Sequence, residues 1–214
     1  MSTNIDYWER ILQNPSLAYA ELFDAEKRFL LSHISPNSKV LDIGCGDGRN
    51  IKTILNVTKD IVGIDNDPKA ISDARAHLAA TPSVQILLAD VIALPFPENT
   101  FDAVTLMMTL VNFNKNKVTA LKEMARVLKQ DGKIIISVYS EDAFDKRMEM
   151  YKRVQAPIDR VEGTTVILEI SFGANVSEQF SKQEIEVLVE QAGLKISGCK
   201  KIASLAYICE LTKK

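Results

Sequence analysis

Apolar and polar positions change rhythm several times along this chain, and each change marks an element. Between residues 16 and 34, Leu17, Ala20, Leu22, Phe23, Phe29, Leu30 and Ile34 recur at helical spacing with Glu and Lys between them. Pro15 suits the start of that helix and Pro36 marks its end. From Val40 onward, short apolar runs alternate with helical patterns. They predict strands over 40–44, 61–65, 84–89, 103–108 and 133–139, and helices over 48–56, 68–80 and 115–129. Alternation of this kind builds a parallel sheet covered by helices on both faces. Ile134-Ile135-Ile136 is continuously apolar, as a doubly buried strand requires. After Ser140 the rhythm changes. Residues 141–155 read as a heavily charged helix, and Thr164 to Phe172 as a strand. Ser181 with Glu184 forms a capping box that opens a helix running to Ala192, with Gly193 as its C-cap. Strands near 195–202 and 205–212 close the chain. With 164–172 set aside as an insertion, the count is seven strands.

One turn carries more information than the rest. Val40-Leu41-Asp42-Ile43 leads into Gly44-Cys45-Gly46-Asp47-Gly48, an apolar strand followed by three alternate glycines. Such a turn lets a ligand approach the main chain at the carboxyl end of a strand. A dinucleotide fingerprint needs G-x-G-x-x-G or a final Ala, and position 49 is Arg49. The third glycine comes one residue early, which favours a ligand without phosphates. Ile61-Val62-Gly63-Ile64 ends in Asp65, and the run from Val84 to Ala89 ends in Asp90-Val91. Three successive strands thus end at acidic residues, Asp42, Asp65 and Asp90. In an open α/β sheet the ligand sits outside those strand ends, where a carboxylate accepts from ribose hydroxyls.

The segments VLDIGCGDG, GIDNDP, LLADVIALPFPENTFDAV and LKEMARVLKQDGKIIISVY span positions 40 to 139. In this order and spacing they resemble the class I S-adenosylmethionine-dependent methyltransferases of the small Rossmann-like type. The resemblance implies a doubly wound α/β fold. Its seven-stranded sheet is mostly parallel with an antiparallel C-terminal edge hairpin, and helices cover both faces. It implies S-adenosyl-L-methionine as cofactor, S-adenosyl-L-homocysteine as its product, and a small-molecule methyl acceptor. By the same resemblance Gly44, Cys45, Gly46 and Gly48 wrap the methionine part, with Asp42 and Met107 also on the cofactor side. Asp65 holds the ribose, and Asn66 lies beside the adenosine. Asp90 accepts from the adenine amine, with the Val91 amide facing the ring.

The whole chain narrows the rest. Its 214 residues form one domain, with 46% hydrophobic and 25% charged residues as in an ordinary soluble protein. A net charge of −2 without a run of Lys or Arg gives no footprint for nucleic acid. No apolar stretch reaches transmembrane length, and the N-terminus has no signal-peptide pattern. Three cysteines without close pairing fit a reducing cytoplasm, with Cys199 and Cys209 expected in the core. Without C-x-x-C, and with only His33 and His77, no metal site is expected. Both histidines read as surface or helix-end residues.

Within the domain, residues 1–36 are expected to form a helical lid and 37–140 the cofactor-binding core. Residues 141–180 read as a substrate cover and 181–214 as the C-terminal helix and hairpin. No catalytic group stands out, and none is required: the donor methyl is already activated, so aligning the acceptor does most of the work. The absence of an N-P-P-Y tetrapeptide argues against planar amino acceptors in the resembled superfamily. Oxygen or nitrogen is the expected acceptor atom. Tyr7, Trp8, Asn112 and Tyr139 are the expected substrate-side residues. Two rival readings remain, a non-catalytic S-adenosylmethionine-binding module serving a partner and an NAD(P)-dependent oxidoreductase. The sequence does not specify the acceptor or the oligomeric state.

Overall fold

The structure is a computed structural model that describes residues 7–169 and 176–214. Its main sheet has seven strands in the order β3-β2-β1-β4-β5-β10-β9. Five of these strands are β1 (Val40–Ile43), β2 (Ile61–Asp65), β3 (Val84–Leu88), β4 (Phe101–Met107) and β5 (Leu128–Tyr139). These five run parallel. The last two strands in sequence, β9 (Leu194–Ile202) and β10 (Ala206–Lys213), form an antiparallel hairpin, and β10 pairs with β5. The chain winds outward from β1 to β3, then returns to the other side of β1 for β4 and β5. The order therefore reverses between β1 and β4, where an open α/β sheet leaves a crevice at its carboxyl ends.

Seven helices accompany the strands among the described residues: α1 (Tyr7–Gln13), α2 (Leu17–His33), α3 (Arg49–Ile54), α4 (Pro68–His77), α5 (Lys117–Val127), α6 (Phe144–Arg153) and α7 (Lys182–Gln191). The expected capping box is present at the start of α7. The Ser181 amide donates to Glu184 Oε2 at 2.7 Å, and the Glu184 amide donates to Ser181 Oγ at 3.2 Å. Apolar side chains of β1, β4 and β5 are almost wholly excluded from solvent, and α5 buries Ala120, Leu121, Met124 and Val127 against them.

Three expectations need correction. The helix expected over 115–129 ends at Val127, because Leu128 already pairs with Phe101 in the sheet. Asp131-Gly132 then lies inside a long irregular strand instead of preceding it. Between α6 and α7 sits a second sheet, β6 (Ile158–Glu162), β7 (Thr165–Leu168) and β8 (Val176–Ser177), in which β6 was not anticipated. The strand expected over 164–172 is seen as β7, and its end lies outside the described residues. Finally, Cys199 and Cys209 are opposite one another in the β9–β10 register and form a disulfide. Cys209 is buried, but Cys199 is only half-buried. The cysteine count therefore gives no argument for a reducing compartment.

Candidate active site

A cleft of about 920 Å³ opens over the carboxyl ends of the parallel strands, lined from the glycine turn to Tyr139 and Tyr151. Small-ligand sites commonly occupy roughly 300–1,000 Å³, so this one has room for a nucleoside-sized molecule and a second, smaller one.

The glycine turn forms one wall. Gly44, Gly46 and Gly48 all have positive φ, at 64°, 53° and 90°. Their surroundings differ. A Cβ on Gly44 would lie 2.5 Å from the Thr109 side chain, and one on Gly48 would lie 2.8 Å from Leu78. A Cβ on Gly46 would meet nothing within 4 Å, because this glycine faces the cleft. Gly48 is the N-cap of α3 and does not line the cleft.

Asp65 locks the turn to the end of β2. One carboxylate oxygen accepts from the Gly46 amide at 3.0 Å and the other from the Asp67 amide at 3.0 Å. Burial raises its pKa, while those amide bonds pull the other way. Asn66 beside it is exposed and also lines the cleft. Asp90 caps the short 3₁₀ turn Val91–Ala93 by accepting from the Ile92 amide at 3.1 Å. It is exposed, whereas Val91 is buried, and both face the cleft.

Asp42 is not on the cleft wall, in contrast to the expectation for a cofactor ligand. Its carboxyl is fully buried and accepts from Thr105 Oγ1 at 2.6 Å, while its second oxygen has no partner. Burial pushes its pKa up to about 7, the Thr105 bond and Arg49 lower it, and Asp65 and Glu26 raise it. The Cys45 thiol lines the cleft but is pushed far up by burial and by the nearby carboxylates, so it is no nucleophile.

The other end of the cleft is aromatic. Tyr7, Trp8, Asn112 and Tyr139, expected from the sequence on the substrate side, line the cleft, as does Met107. Tyr7 meets Tyr151 edge to face at 5.8 Å, and Trp8 meets Phe23 at 6.1 Å. Tyr139 is buried, and its hydroxyl lies 2.9 Å from that of Tyr19. Burial raises the pKa of both phenols well above the ordinary value, so neither serves as a base near neutral pH. His33 stacks on Phe29 at 3.7 Å, away from the cleft. His77 ends α4 as expected, but it also lines the cleft, with Nδ1 3.1 Å from the Asp47 carbonyl.

Three residues escaped the sequence reading, and Met108 stands out in it only for its place beside Met107 in an apolar segment. Met108 follows β4 with φ of 53°, rare for a side chain of its size. Its amide donates to Ser137 Oγ at 2.8 Å. Tyr151 and Ser177 line the cleft, their hydroxyls 2.8 Å apart. Arg147 lies fully buried behind them. Only Met108 had a local signal, as one of two Met at the end of an apolar run. Among the described residues no cluster of three His, Cys, Asp or Glu converges as a metal site would require.

Known proteins share part of this sequence and its fold. Residues 41–136 match the methyltransferase-domain family. A demethylmenaquinone methyltransferase of Renibacterium salmoninarum is 32% identical over 116 residues, 54% of this chain and 47% of the relative. A ubiquinone/menaquinone biosynthesis C-methyltransferase of Ectopseudomonas mendocina is 36% identical over 123 residues, again 54% of this chain and 48% of the relative. The chain thus matches about half the length of these two relatives. Among solved structures, the 1,6-didemethyltoxoflavin-N1-methyltransferase of Burkholderia thailandensis, with S-adenosylhomocysteine bound, superposes with a TM-score of 0.70. It is 18% identical, and the match covers 96% of this chain and 82% of that one. That likeness shows the fold. The matched family segment runs from β1 into β5 and contains the glycine turn, Asp65 and Asp90. Residues 41–136 thus carry a methyltransferase-domain match, and the chain has the fold of solved S-adenosylmethionine-dependent methyltransferases.

Proposed function

We propose that the protein transfers a methyl group from S-adenosylmethionine to a small planar acceptor held at the aromatic end of the cleft. The observation that carries this reading is the pairing of two different walls in one cavity. One has a cradle open at Gly46 beside Asp65 and Asp90, and the other is lined by Tyr7, Tyr139 and Tyr151. The residues present suit the cofactor. The open space at Gly46 would admit a methionine chain, and Asp65 and Asp90 on the cleft wall would accept from ribose hydroxyls and an adenine amine.

In this proposal Gly44, Cys45 and Gly46 hold the methionine part, Asp65 the ribose and Asn66 the adenosine edge. Asp90, Val91 and Met107 frame the adenine side. Asp42 and Gly48 support the turn from beneath. When bound, the cofactor would supply an activated methyl carbon on a sulfonium, with its sulfur as the leaving group for an acceptor's electron pair. The protein's own task is orientation and exclusion of water, which supplies several kcal/mol when geometry is well held. Among the described residues, 7–36 would cover one side and 141–169 with 176–180 the other, with Asn112 and Trp8 on the acceptor. Two relatives bear names of quinone-pathway methyltransferases, one of them a C-methyltransferase. Carbon therefore joins oxygen and nitrogen as an acceptor atom to test.

The test is S-adenosylhomocysteine formation from S-adenosylmethionine over a panel of phenols, quinols, amines and carboxylates, with methyl-labelled product located by mass spectrometry. Turnover with any acceptor supports the reading. Tight S-adenosylhomocysteine binding without turnover on any panel member would favour a non-catalytic binding module instead.

A further inference from the structure

Behind the aromatic end of the cleft lies a cation that has no counter-ion among the described residues. Arg147, on α6, is fully buried. Its Nη1 donates to the Thr164 carbonyl at 3.1 Å and to Gln179 Oε1 at 3.0 Å. Its Nη2 donates to the Ser177 carbonyl at 2.6 Å and to Ser177 Oγ at 3.0 Å. Every acceptor is neutral, and Nε has no partner. Among the described residues no carboxylate pairs with it. An unpaired buried charge is expensive to keep, and such groups are ordinarily paired or hold a ligand.

The charge is close to the cleft. The guanidinium sits over the Tyr139 ring, 4.6 Å from its centroid, and 5.9 Å from that of Tyr151. Both rings and Ser177 line the cleft. The donor count points the same way. Ser177 and Tyr151 share one hydroxyl–hydroxyl bond, which uses one of their two protons, and Arg147 occupies a Ser177 lone pair. One O–H of that pair is left to donate. Tyr19 and Tyr139 likewise share one bond between two protons, and of the two only Tyr139 lines the cleft. The cleft's carboxylates on the turn and strand ends, such as Asp65 and Asp90, belong to the cofactor side. Glu169 also lines the cleft but is exposed.

We infer that the methyl acceptor binds as a planar conjugated oxyanion, a phenolate or enolate, with Arg147 as its counter-charge behind Tyr139 and Tyr151. This rests on the methyltransferase reading for the word acceptor, but not for the anion site itself. A bound oxyanion takes up the spare hydroxyl protons and offsets the buried guanidinium. It also arrives already deprotonated, so the site needs no general base, in keeping with phenols of raised pKa on its wall. Arg147 is a positioning residue: it acts through the rings and Ser177.

The experiment uses 4-nitrophenol, whose phenolate is coloured and which ionises near neutral pH, with and without S-adenosylhomocysteine. The bound probe should keep its phenolate absorbance to lower pH than the free probe, by roughly one unit or more, equivalent to about tenfold tighter binding of the anion. 4-Nitrotoluene, its neutral counterpart, should bind at least about tenfold more weakly. Arg147→Met should abolish the shift and Arg147→Lys restore part of it. If Arg147→Met does not fold, Ser177→Ala and the wild-type shift decide. A bound probe with an unchanged or raised pKa, equal binding of 4-nitrotoluene, or binding of neither compound overturns the inference. Failure of S-adenosylhomocysteine to bind, measured separately by calorimetry, would strike the methyltransferase reading and leave the anion result standing.

Discussion

Glu26 of α2 and Arg49 of α3 meet at 2.8 Å, with the glutamate side chain fully excluded from solvent. Arg49 is the residue directly after the glycine turn, and its guanidinium also lies 4.8 Å over the Phe23 ring. The other oxygen of Glu26 accepts from Ser137 Oγ at 2.6 Å, and Ser137 in turn accepts from the Met108 amide. One buried carboxylate thereby ties the helix before the sheet to the glycine turn and to the strained residue after β4.

Glu26→Ala should therefore destabilise the protein by about 2–4 kcal/mol, since it strands one end of a partly buried ion pair and a serine hydroxyl. Glu26→Gln keeps an acceptor for Ser137 and should cost less. Urea unfolding of the three proteins reads this directly. Equal stability of wild type and Glu26→Ala would show that the network contributes nothing to the fold.

Asp65→Ala should weaken S-adenosylhomocysteine binding by roughly 1.5–3 kcal/mol, the range for hydrogen bonds to a charged group. The carboxylate also accepts from the Gly46 and Asp67 amides, so part of the loss will come from a looser turn. Asp65→Asn keeps an acceptor for one amide and separates the two effects. Calorimetric titration alongside circular dichroism checks it. Unchanged affinity in a native-like Asp65→Ala would remove Asp65 from the cofactor site.

The glycines of the turn should fail in different ways. Gly46 has open space around a would-be Cβ, so Gly46→Val should fold with moderate strain and lose cofactor binding. Gly48→Ala meets Leu78 at 2.8 Å with φ of 90°, and should lose about 1–2 kcal/mol of stability first. Melting temperatures and binding constants for both variants make the comparison. Cofactor affinity preserved in Gly46→Val would mean the turn does not face the ligand there.

In the parallel half of the fold, β1, β2 and β3 were legible because they are short apolar runs closed by Gly or Asp. The helix–strand boundary at Val127 and Leu128 was not, since Leu128 fits both periods and only its pairing with Phe101 decides. β6 was missed because Ile158-Asp159-Arg160-Val161-Glu162 is mostly exposed and leaves no burial pattern. At the site, residues at strand ends were found and residues brought in from the insertion were not. Arg147 and Tyr151 stand four apart on a helix that reads as charged and solvated. What buries Arg147 is Thr164, Ser177 and Gln179, distant in sequence. The position of Asp42 beneath the wall was equally hidden, because a strand buried on both faces has no period to say which way a side chain points.

Residues 7–13 should prove to be both cover and anchor. Ile11 is fully buried, which is the anchor, while Tyr7 and Trp8 line the cleft. Trp8→Ala should leave the melting temperature within a few degrees of wild type yet weaken cofactor or acceptor binding. Ile11→Ala should do the reverse, losing about 2–5 kcal/mol as buried isoleucine truncations do. Thermal unfolding paired with S-adenosylhomocysteine titration tests both, and a Trp8 variant with intact binding and turnover would end the cover role.

Asp42 should make stability fall with rising pH. Its carboxyl is fully buried, has one unpartnered oxygen, and carries a pKa pushed up to about 7 by that burial. An unfolded aspartate ionises near pH 3.9, so between about pH 4 and pH 7 the folded state holds a proton that the unfolded state releases. The group's contribution is therefore complete below the unfolded pKa and is lost as pH rises through 7. Asp42→Asn imitates the protonated carboxyl and leaves the Thr105 bond an acceptor. Urea unfolding at pH 5 and pH 8 should show wild type losing, relative to Asp42→Asn, on the order of a few kcal/mol. Asp65, raised in the same direction, is present in both proteins and cancels from the comparison. Parallel pH profiles for the two proteins would mean that Asp42 is charged throughout, with a partner in solution that neutralises the burial.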